Sequence, residues 1–233
     1  MSGWQYTPAT SYTYANPYAR TGRLATSRTE ILQILIAAAV LTFDITIISS
    51  RFSLASPGAA YSSALYAAVA FGATAALTGF VFHELAHKVA AQRRGYWAEF
   101  RMSPMGLLLS VVTSLFGFLF AAPGATVVQG MGDRRDWGWT SLAGPTTNLV
   151  EGGAFFGAAL VLLRVGGSPT LFNDLLLLSF FNGWFAAFNL IPVGPLDGRK
   201  VLSWNLGIWA ASFAAAAALA GYMFALFYGY VSL

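Results

Sequence analysis

Two histidines and one glutamate lie within the five-residue segment His83-Glu84-Leu85-Ala86-His87, and the chain has no other histidine. Residues four positions apart on a helix share a face, so both imidazoles can bind the same metal ion. In an H-E-x-x-H pattern the glutamate reaches a water molecule that the metal activates. A catalytic zinc ion takes three protein ligands and keeps one position open. The segment therefore predicts a zinc site that still lacks its third ligand.

The motif stands in a very apolar chain of 233 residues, of which 57% are hydrophobic and 9% are charged. Soluble domains carry about 25% charged residues, and apolar blocks of about twenty residues are typical of membrane helices. We interpret residues 30–233 as a single membrane-embedded domain, with its core at about 60–205 and a flexible tail at 1–29 rich in Tyr, Thr, Ser and Pro. The chain contains no cysteine, which excludes disulfides, thiolate metal sites and a cysteine nucleophile.

Five apolar stretches predict membrane-spanning helices, at about 31–50, 59–92, 142–163, 171–190 and 202–231. A sixth uncharged stretch, 102–129, is long enough to cross but contains several prolines and glycines. If it does not cross and the N-terminus is cytoplasmic, every lysine and arginine except Arg51 and Arg164 faces the cytoplasm. A crossing would separate the basic residues less well. We therefore predict an all-α polytopic membrane protein with five spans and a membrane-dipping β-hairpin or re-entrant segment between the second and third.

The third ligand must be a carboxylate or come from outside the chain. The acidic candidates are Asp44, Glu99, Asp133, Asp136, Glu151, Asp174 and Asp197. In the five-span topology the histidines lie near the cytoplasmic end of the second helix. Asp197 follows the fourth helix on that same side, after Pro192 and Pro195 have broken it. Asp174 begins the fourth helix on the outer side, too far away, so depth favours Asp197.

Three motifs occur in an order that resembles the site-2 protease family of intramembrane zinc metalloproteases. They are H-E-x-x-H at 83–87, A-G-P-x-x-N at 143–148 and N-x-x-P-x-x-P-L-D-G at 189–198. The resemblance covers about residues 60–205. It also implies that the stretch after the first motif forms β-structure that dips into the membrane from the active-site side.

The resemblance implies a role for each of the motif residues. His83, His87 and Asp197 would bind Zn²⁺, and Glu84 would be the general base. Asn189 belongs to the third motif and is expected to place either Asp197 or the substrate.

Asn148 is a second candidate catalytic residue. Peptide hydrolysis develops an oxyanion, which a preorganised donor stabilises. Pro145 suits the first turn of a helix, which would place Asn148 about one turn further in. An amide that bonds neighbouring helices explains Asn148 equally well.

A peptide bond inside a helix is shielded, so a substrate must be held in an extended form. An exposed strand edge in the enzyme can pair with such a segment. We expect the segment 106–128 to supply that edge. The predicted substrate-binding residues on it are Val111, Val112, Thr113 and Ser114.

These features predict an intramembrane zinc endopeptidase of the cell membrane, with its N-terminus and active site toward the cytoplasm. The expected partners are transmembrane protein substrates, including membrane-tethered transcription regulators, and the lipid bilayer, with no nucleic acid. The alternative is a zinc-binding membrane transporter or sensor without proteolysis. A transporter has little use for Glu84 beside the metal.

Overall fold

A computed structural model describes residues 24–53, 61–120, 122–227 and 229–232. Within these ranges, five helices are long and apolar enough to cross a membrane, namely Arg28–Ser50, Leu65–Arg93, Arg134–Arg164, Pro169–Asn189 and Leu206–Phe227. Together with a two-stranded hairpin they confirm the predicted fold class and indicate a multi-pass membrane protein. Most of the predicted flexible tail, residues 1–23, lies outside the described residues.

The described residues form eight α-helices and two strands. In chain order they are α1 (Arg28–Ser53), α2 (Tyr61–Ala76), α3 (His83–Arg93), β1 (Trp97–Met102), α4 (Pro104–Leu115), β2 (Gly124–Gln129), α5 (Arg134–Arg164), α6 (Pro169–Asn189), α7 (Asp197–Trp204) and α8 (Leu206–Phe227). A π-helical turn, Leu77–Phe82, joins α2 to α3. Such turns are rare and frequently occur at functional sites, and this one ends directly before His83.

The long helices bury polar groups and expose apolar ones. Asp44, Asn148 and Asn182 are fully buried, whereas Leu35 and Val150 are 61% and 66% exposed. A hydrocarbon solvent favours this arrangement, because polar side chains there must find partners inside the protein. The surface of these helices therefore suits contact with lipid.

The segment between α3 and α5 begins and ends at the same end of the helix bundle. The Nε atom of Arg94, after α3, lies 3.2 Å from Oδ1 of Asp136, near the start of α5. The hydroxyl of Tyr96 donates to the other oxygen of Asp136 at 2.5 Å. The chain thus returns to where it left α3, so the stretch does not cross, in agreement with the charge-based prediction.

The strand edge expected within 106–128 does not include residues 111–115, because they form the second half of α4 and not a strand. Ser103 caps this helix by accepting the N–H of Gly106 at 3.1 Å, and Pro104 occupies the first turn. A serine cap followed by proline is an ordinary helix-start signal. The sequence therefore held a local signal for α4 that outweighs the β-branched residues Val111 and Val112.

The two faces of α4 differ in polarity. Its small and polar face is buried, and Ser114 Oγ donates to Asp44 Oδ1 on α1 at 3.0 Å. Its opposite face exposes Met105, Leu108 and Val112. A helix bonds its own backbone groups, which an unpaired strand within a membrane could not do.

β1 and β2 pair antiparallel, with Phe100 opposite Thr126. The N–H of Phe100 points away from β2, because it donates to Oε1 of Glu30 on α1 at 3.0 Å. In an antiparallel ladder, residues whose backbone groups point outward alternate along each strand with residues whose backbone groups bond the partner strand. Thr126 and its neighbours two positions away, Gly124 and Val128, therefore direct their N–H and C=O groups outward from β2. This outer edge faces the helix that carries the H-E-x-x-H motif.

The start of α1 is anchored to α3. The N–H of Ala25 donates to Oε1 of Gln92 at 3.0 Å, and Lys88 forms a buried ion pair with Glu30. Residues 24–29, which the sequence predicted to be part of the flexible tail, are thus bonded to the core. They bring the beginning of α1 to the same end of the bundle as the histidines.

Candidate metal centre

His83, His87 and Asp197 form a buried cluster that could hold a metal ion. The Nε2 atoms of His83 and His87 are 3.0 Å apart. Oδ2 of Asp197 lies 3.4 Å from Nε2 of His83 and 3.0 Å from Nε2 of His87. Ligand atoms placed about 2.0–2.1 Å from a tetrahedral zinc ion are about 3.4 Å from one another. The three atoms therefore fit one face of a metal tetrahedron. No other such cluster occurs in the part of the chain that the structure describes.

Hydrogen bonds to the second ring nitrogens orient the two histidines. Nδ1 of His83 lies 2.5 Å from Oδ1 of Asn148, and Nδ1 of His87 lies 2.7 Å from the carbonyl oxygen of Thr140. Both partners are acceptors, so each Nδ1 carries a proton, and Nε2 is the nitrogen that would bind a metal. Partners of this kind fix the ring orientation of metal-binding histidines.

The amide of Asn148 is directed at His83 and at the π-helical turn. Its NH₂ group donates to the carbonyl of Gly79 at 3.0 Å, to that of Thr78 at 3.4 Å, and to Oδ1 of Asn182 at 3.0 Å. Asn148 is fully buried and does not line the cavity beside the cluster. This geometry favours the second interpretation, an amide that bonds neighbouring helices, and adds the orientation of His83. It offers no N–H of Asn148 to an oxyanion.

Gly144 allows α5 to approach the histidines closely. A Cβ atom at this position would lie 2.4 Å from Nε2 of His87 and 2.6 Å from Nε2 of His83. Pro145 was predicted to lie in the first turn of a helix. It lies inside α5 instead, because α5 already begins at Arg134. The glycine of the A-G-P-x-x-N motif therefore keeps the space of the metal free.

The break between α6 and α7 places Asp197. α6 ends at Asn189, and Asp197 is the first residue of α7. Gly198 lets the chain fold back closely, since a Cβ there would lie 2.0 Å from the carbonyl oxygen of Leu190. Because the helix is interrupted, the side chain of Asp197 at the start of α7 reaches the histidines on α3.

The charge of Asp197 is stabilised within the site. Burial by itself raises the pKa of this carboxyl, but attraction to His87, hydrogen bonds from His83 and His87, and the charge of Lys200 outweigh it. Together they hold the pKa of Asp197 well below its usual range. Nζ of Lys200 lies 3.5 Å from Oδ1, whereas Oδ2 faces the histidines. Asp197 thus presents one anionic oxygen to the metal position.

Glu84 is held by strand β2 and is not a member of the ligand cluster. Its Oε2 accepts the N–H and the hydroxyl of Thr126, both at 2.8 Å. The hydroxyl oxygen of Thr126 also lies 3.1 Å from the carbonyl oxygen of Glu84. Glu84 lines the same cavity as His83, His87 and Asp197 but lies outside the ligand set.

A cavity of about 130 Å³ adjoins the cluster. β2 forms one wall, and Asn189 and Lys200 lie on the wall made by the end of α6 and by α7. Asn189 is therefore within reach of a bound substrate. The four residues predicted to bind substrate lie on α4 and do not line this cavity, namely Val111, Val112, Thr113 and Ser114.

Three of the other acidic candidates make contacts elsewhere. Asp44 accepts from Ser114 on α4, and Asp136 pairs with Arg94. Glu99 pairs with Arg101 at 2.6 Å. Asp197 is the acidic residue of the cluster, and it is the candidate that the predicted depth in the membrane favoured.

The sequence is similar to that of the Methanocaldococcus jannaschii protein "Putative zinc metalloprotease MJ0611". The two are 32% identical over 179 residues, which cover 73% of this chain and 86% of that protein. The chain belongs to the site-2 protease family of zinc metalloproteases. "Putative zinc metalloprotease Rip3" of Mycobacterium tuberculosis is 30% identical over 131 residues, which cover 56% of this chain and 30% of that protein. No family model and no solved structure matches the chain.

This member of the site-2 protease family uses several site residues that the sequence did not indicate. Thr126 and Thr140 contribute backbone N–H and C=O groups, which every residue type offers, so residue type carries little signal. Gly144 belongs to the A-G-P-x-x-N motif, but the motif does not indicate its contact with the histidines, which depends on how α5 packs on α3. Asn182 connects neighbouring helical segments, since it bonds Asn148 and Thr78.

Proposed function

We propose that this protein is an intramembrane zinc endopeptidase that hydrolyses peptide bonds in or near transmembrane segments of membrane proteins. The observation that carries the proposal is the pairing of a ligand cluster with a separate carboxylate, Glu84, near the end of an apolar span. Metal binding needs only the ligands, whereas hydrolysis also needs a base beside them. The family relationship supports the same chemistry.

Zinc is the metal that we assign to this site. Two imidazole nitrogens and one carboxylate oxygen form a ligand set of catalytic zinc sites. The three atoms converge at 3.0–3.4 Å, which suits a cation between them. Zinc bound there would activate a water molecule and polarise the substrate carbonyl.

Residues around the metal position carry out proton transfer and substrate binding. Glu84 takes the proton from the attacking water and transfers it to the leaving amine. Asn189 lines the cavity opposite β2 and donates its amide to the carbonyl of Phe185 at 3.0 Å. We assign Asn189 to substrate binding, because it presents an oriented amide to the cavity.

The substrate binds as an extended segment along the outer edge of β2. The outward backbone groups of Gly124 and Val128 make no hydrogen bond within the described part of the chain, and both residues line the cavity. A strand that pairs with this edge would expose its carbonyl groups beside the histidines. β2 therefore takes the place of the strand that was predicted within 111–115.

Replacing Val128 with proline tests this edge. The substitution removes an outward N–H and leaves the ladder to β1 intact, a position at which strands accept proline. We expect KM to rise about fivefold, since one hydrogen bond to the substrate contributes about 1 kcal/mol. Val128→Ala keeps the N–H and is the matched control for lost side-chain contacts. A KM for the proline variant equal to that of the alanine variant would contradict strand pairing at this position.

We further propose that the active site and the N-terminus face the cytoplasm. The contacts of Glu30 with Lys88 and of Arg94 with Asp136 support a common end for the beginning of α1, the end of α3 and the beginning of α5. The positive-inside rule assigns this basic end to the cytoplasm. Cleavage there would release the cytoplasmic part of a substrate, for example a membrane-tethered transcription regulator.

Incubating the purified protein with a panel of labelled single-span membrane proteins tests the proposed function. We expect cleavage that a chelator abolishes and that added zinc restores, because the activated water depends on the metal. Mass spectrometry of the products locates the cut. If no substrate is cleaved and the protein instead moves zinc across proteoliposomes, the transporter alternative replaces this proposal.

A further inference from the structure

Two donors of Thr126 converge on one carboxylate oxygen of Glu84. The backbone N–H and the hydroxyl both lie 2.8 Å from Oε2, although the two residues are 42 positions apart in the chain. Glu84 is 8% exposed, so solvent competes little for these bonds. The second oxygen, Oε1, accepts no hydrogen bond from a described residue.

The hairpin is held by a carboxylate on each side, and the two carboxylates differ in how they are neutralised. Glu30 bonds the outer edge of β1 and also pairs with Lys88. Glu84 bonds the outer edge of β2 and has no ion pair with a described lysine or arginine. Neutral donors orient a carboxylate without placing a competing positive charge on it. The contacts of Glu84 thus orient its carboxylate, and neither of them involves a charged donor.

We propose that Thr126 is a positioning residue for the general base. Its two donors fix Oε2 of Glu84 and leave Oε1 to take the proton from the attacking water. The proposal rests on the proposed proteolytic function for the role of Glu84, but the contact itself does not. Because Gly124 and Val128 lie on the same strand, β2 sets the positions of the base and of the substrate segment together.

A pair of substitutions at Thr126 separates positioning from strand packing. Thr126→Val keeps the shape, the strand propensity and the backbone N–H, and removes only the hydroxyl. We expect kcat to fall about 10- to 100-fold, as for a displaced catalytic group, with KM and zinc content unchanged. Thr126→Ser returns the hydroxyl and should recover most of the loss. A merely structural role predicts instead that valine is at least as active as serine, and that result would overturn the proposal.

Amide hydrogen exchange gives a measurement that needs no catalysis. In the zinc-loaded protein the N–H of Thr126 should exchange slowly, and at least about tenfold faster in Glu84→Ala, which removes its acceptor. Glu84→Gln keeps an acceptor oxygen and should retain the protection. The N–H of Val127, which points toward β1, is the internal control and should be unchanged in both variants.

The two measurements distinguish failure of this inference from failure of the proposed function. If no substrate is cleaved but the exchange of Thr126 depends on residue 84, the positioning contact stands and the proteolytic role does not. If Thr126 exchanges equally in the native protein and in Glu84→Ala, the contact is absent and the inference is overturned, even when cleavage is observed.

Discussion

Cleavage by the Glu84→Gln protein is expected to fall about 100- to 10,000-fold, since general-base catalysis contributes about 10²–10⁴. Glutamine has nearly the same shape and can still accept the N–H of Thr126, but its neutral amide cannot take a proton from water. The metal should remain bound, because the ligand cluster consists of His83, His87 and Asp197 and does not include Glu84. Initial rates with a labelled substrate and elemental analysis of zinc measure the two effects separately.

Glu99→Gln is the control for removing a buried glutamate from the same region. Glu99 is 6% exposed and lies on β1, where it pairs with Arg101 and accepts from Ser27, outside the cavity. We expect this variant to keep its zinc and to cleave. Retention of the native cleavage rate by Glu84→Gln would remove Glu84 from the mechanism, and a loss of zinc would make it a ligand.

Replacing Gly144 with alanine is expected to abolish metal binding. The new methyl group would lie 2.4 Å from Nε2 of His87 and 2.6 Å from Nε2 of His83, in the space between the ligand atoms. α5 cannot easily withdraw, because His83 bonds Asn148 and His87 bonds Thr140, both on that helix. We expect zinc occupancy below about a tenth of the native level, since ligand geometry must hold within about 0.2 Å. Cleavage should be lost with it.

Gly153→Ala is the matched control on the same helix. A Cβ at position 153 has no neighbouring atom within 4 Å, so the variant should bind zinc and cleave as the native protein does. Calorimetric titration with zinc, together with a thermal unfolding curve, separates lost binding from lost folding. Full zinc occupancy in Gly144→Ala would show that α5 does not approach the histidines as the structure describes.

The course of the segment between α3 and α5 was predictable from charge, and the predicted hairpin is present, but residues 111–115 are a helix and not a strand. Basic residues at both ends indicated a stretch that does not cross, and the contact of Arg94 with Asp136 agrees. A substrate-binding strand edge was expected within 106–128, and residues 111–115 were expected to lie on it. The serine cap at Ser103 and the packing of Ser114 on Asp44 instead favour a helix, since tertiary contacts override weak strand propensity.

Asn148 shows the same limit for a functional residue. Its motif marked it as important, but an asparagine within a helix can serve an oxyanion, a neighbouring helix or a metal-binding histidine. The choice among these roles depends on His83, which lies 65 positions earlier in the chain and whose Nδ1 is 2.5 Å from Oδ1 of Asn148. This distance cannot be predicted from the sequence alone. The roles of Asn148 could therefore be distinguished only from the packing of α5 on α3.

Local patterns in the sequence predicted the spans, the two histidine ligands and the base, and the topology built on those spans predicted the acidic third ligand. Hydropathy over about twenty residues and an i, i+4 spacing are properties of neighbouring residues, and the lipid solvent restricts their interpretation further. Only the tertiary structure decided that α4 is a helix, that Asn148 orients His83, that Gly144 leaves room for the metal and that Thr126 holds Glu84. Each of these depends on close approach between segments far apart in the chain, which packing sets and local propensity does not.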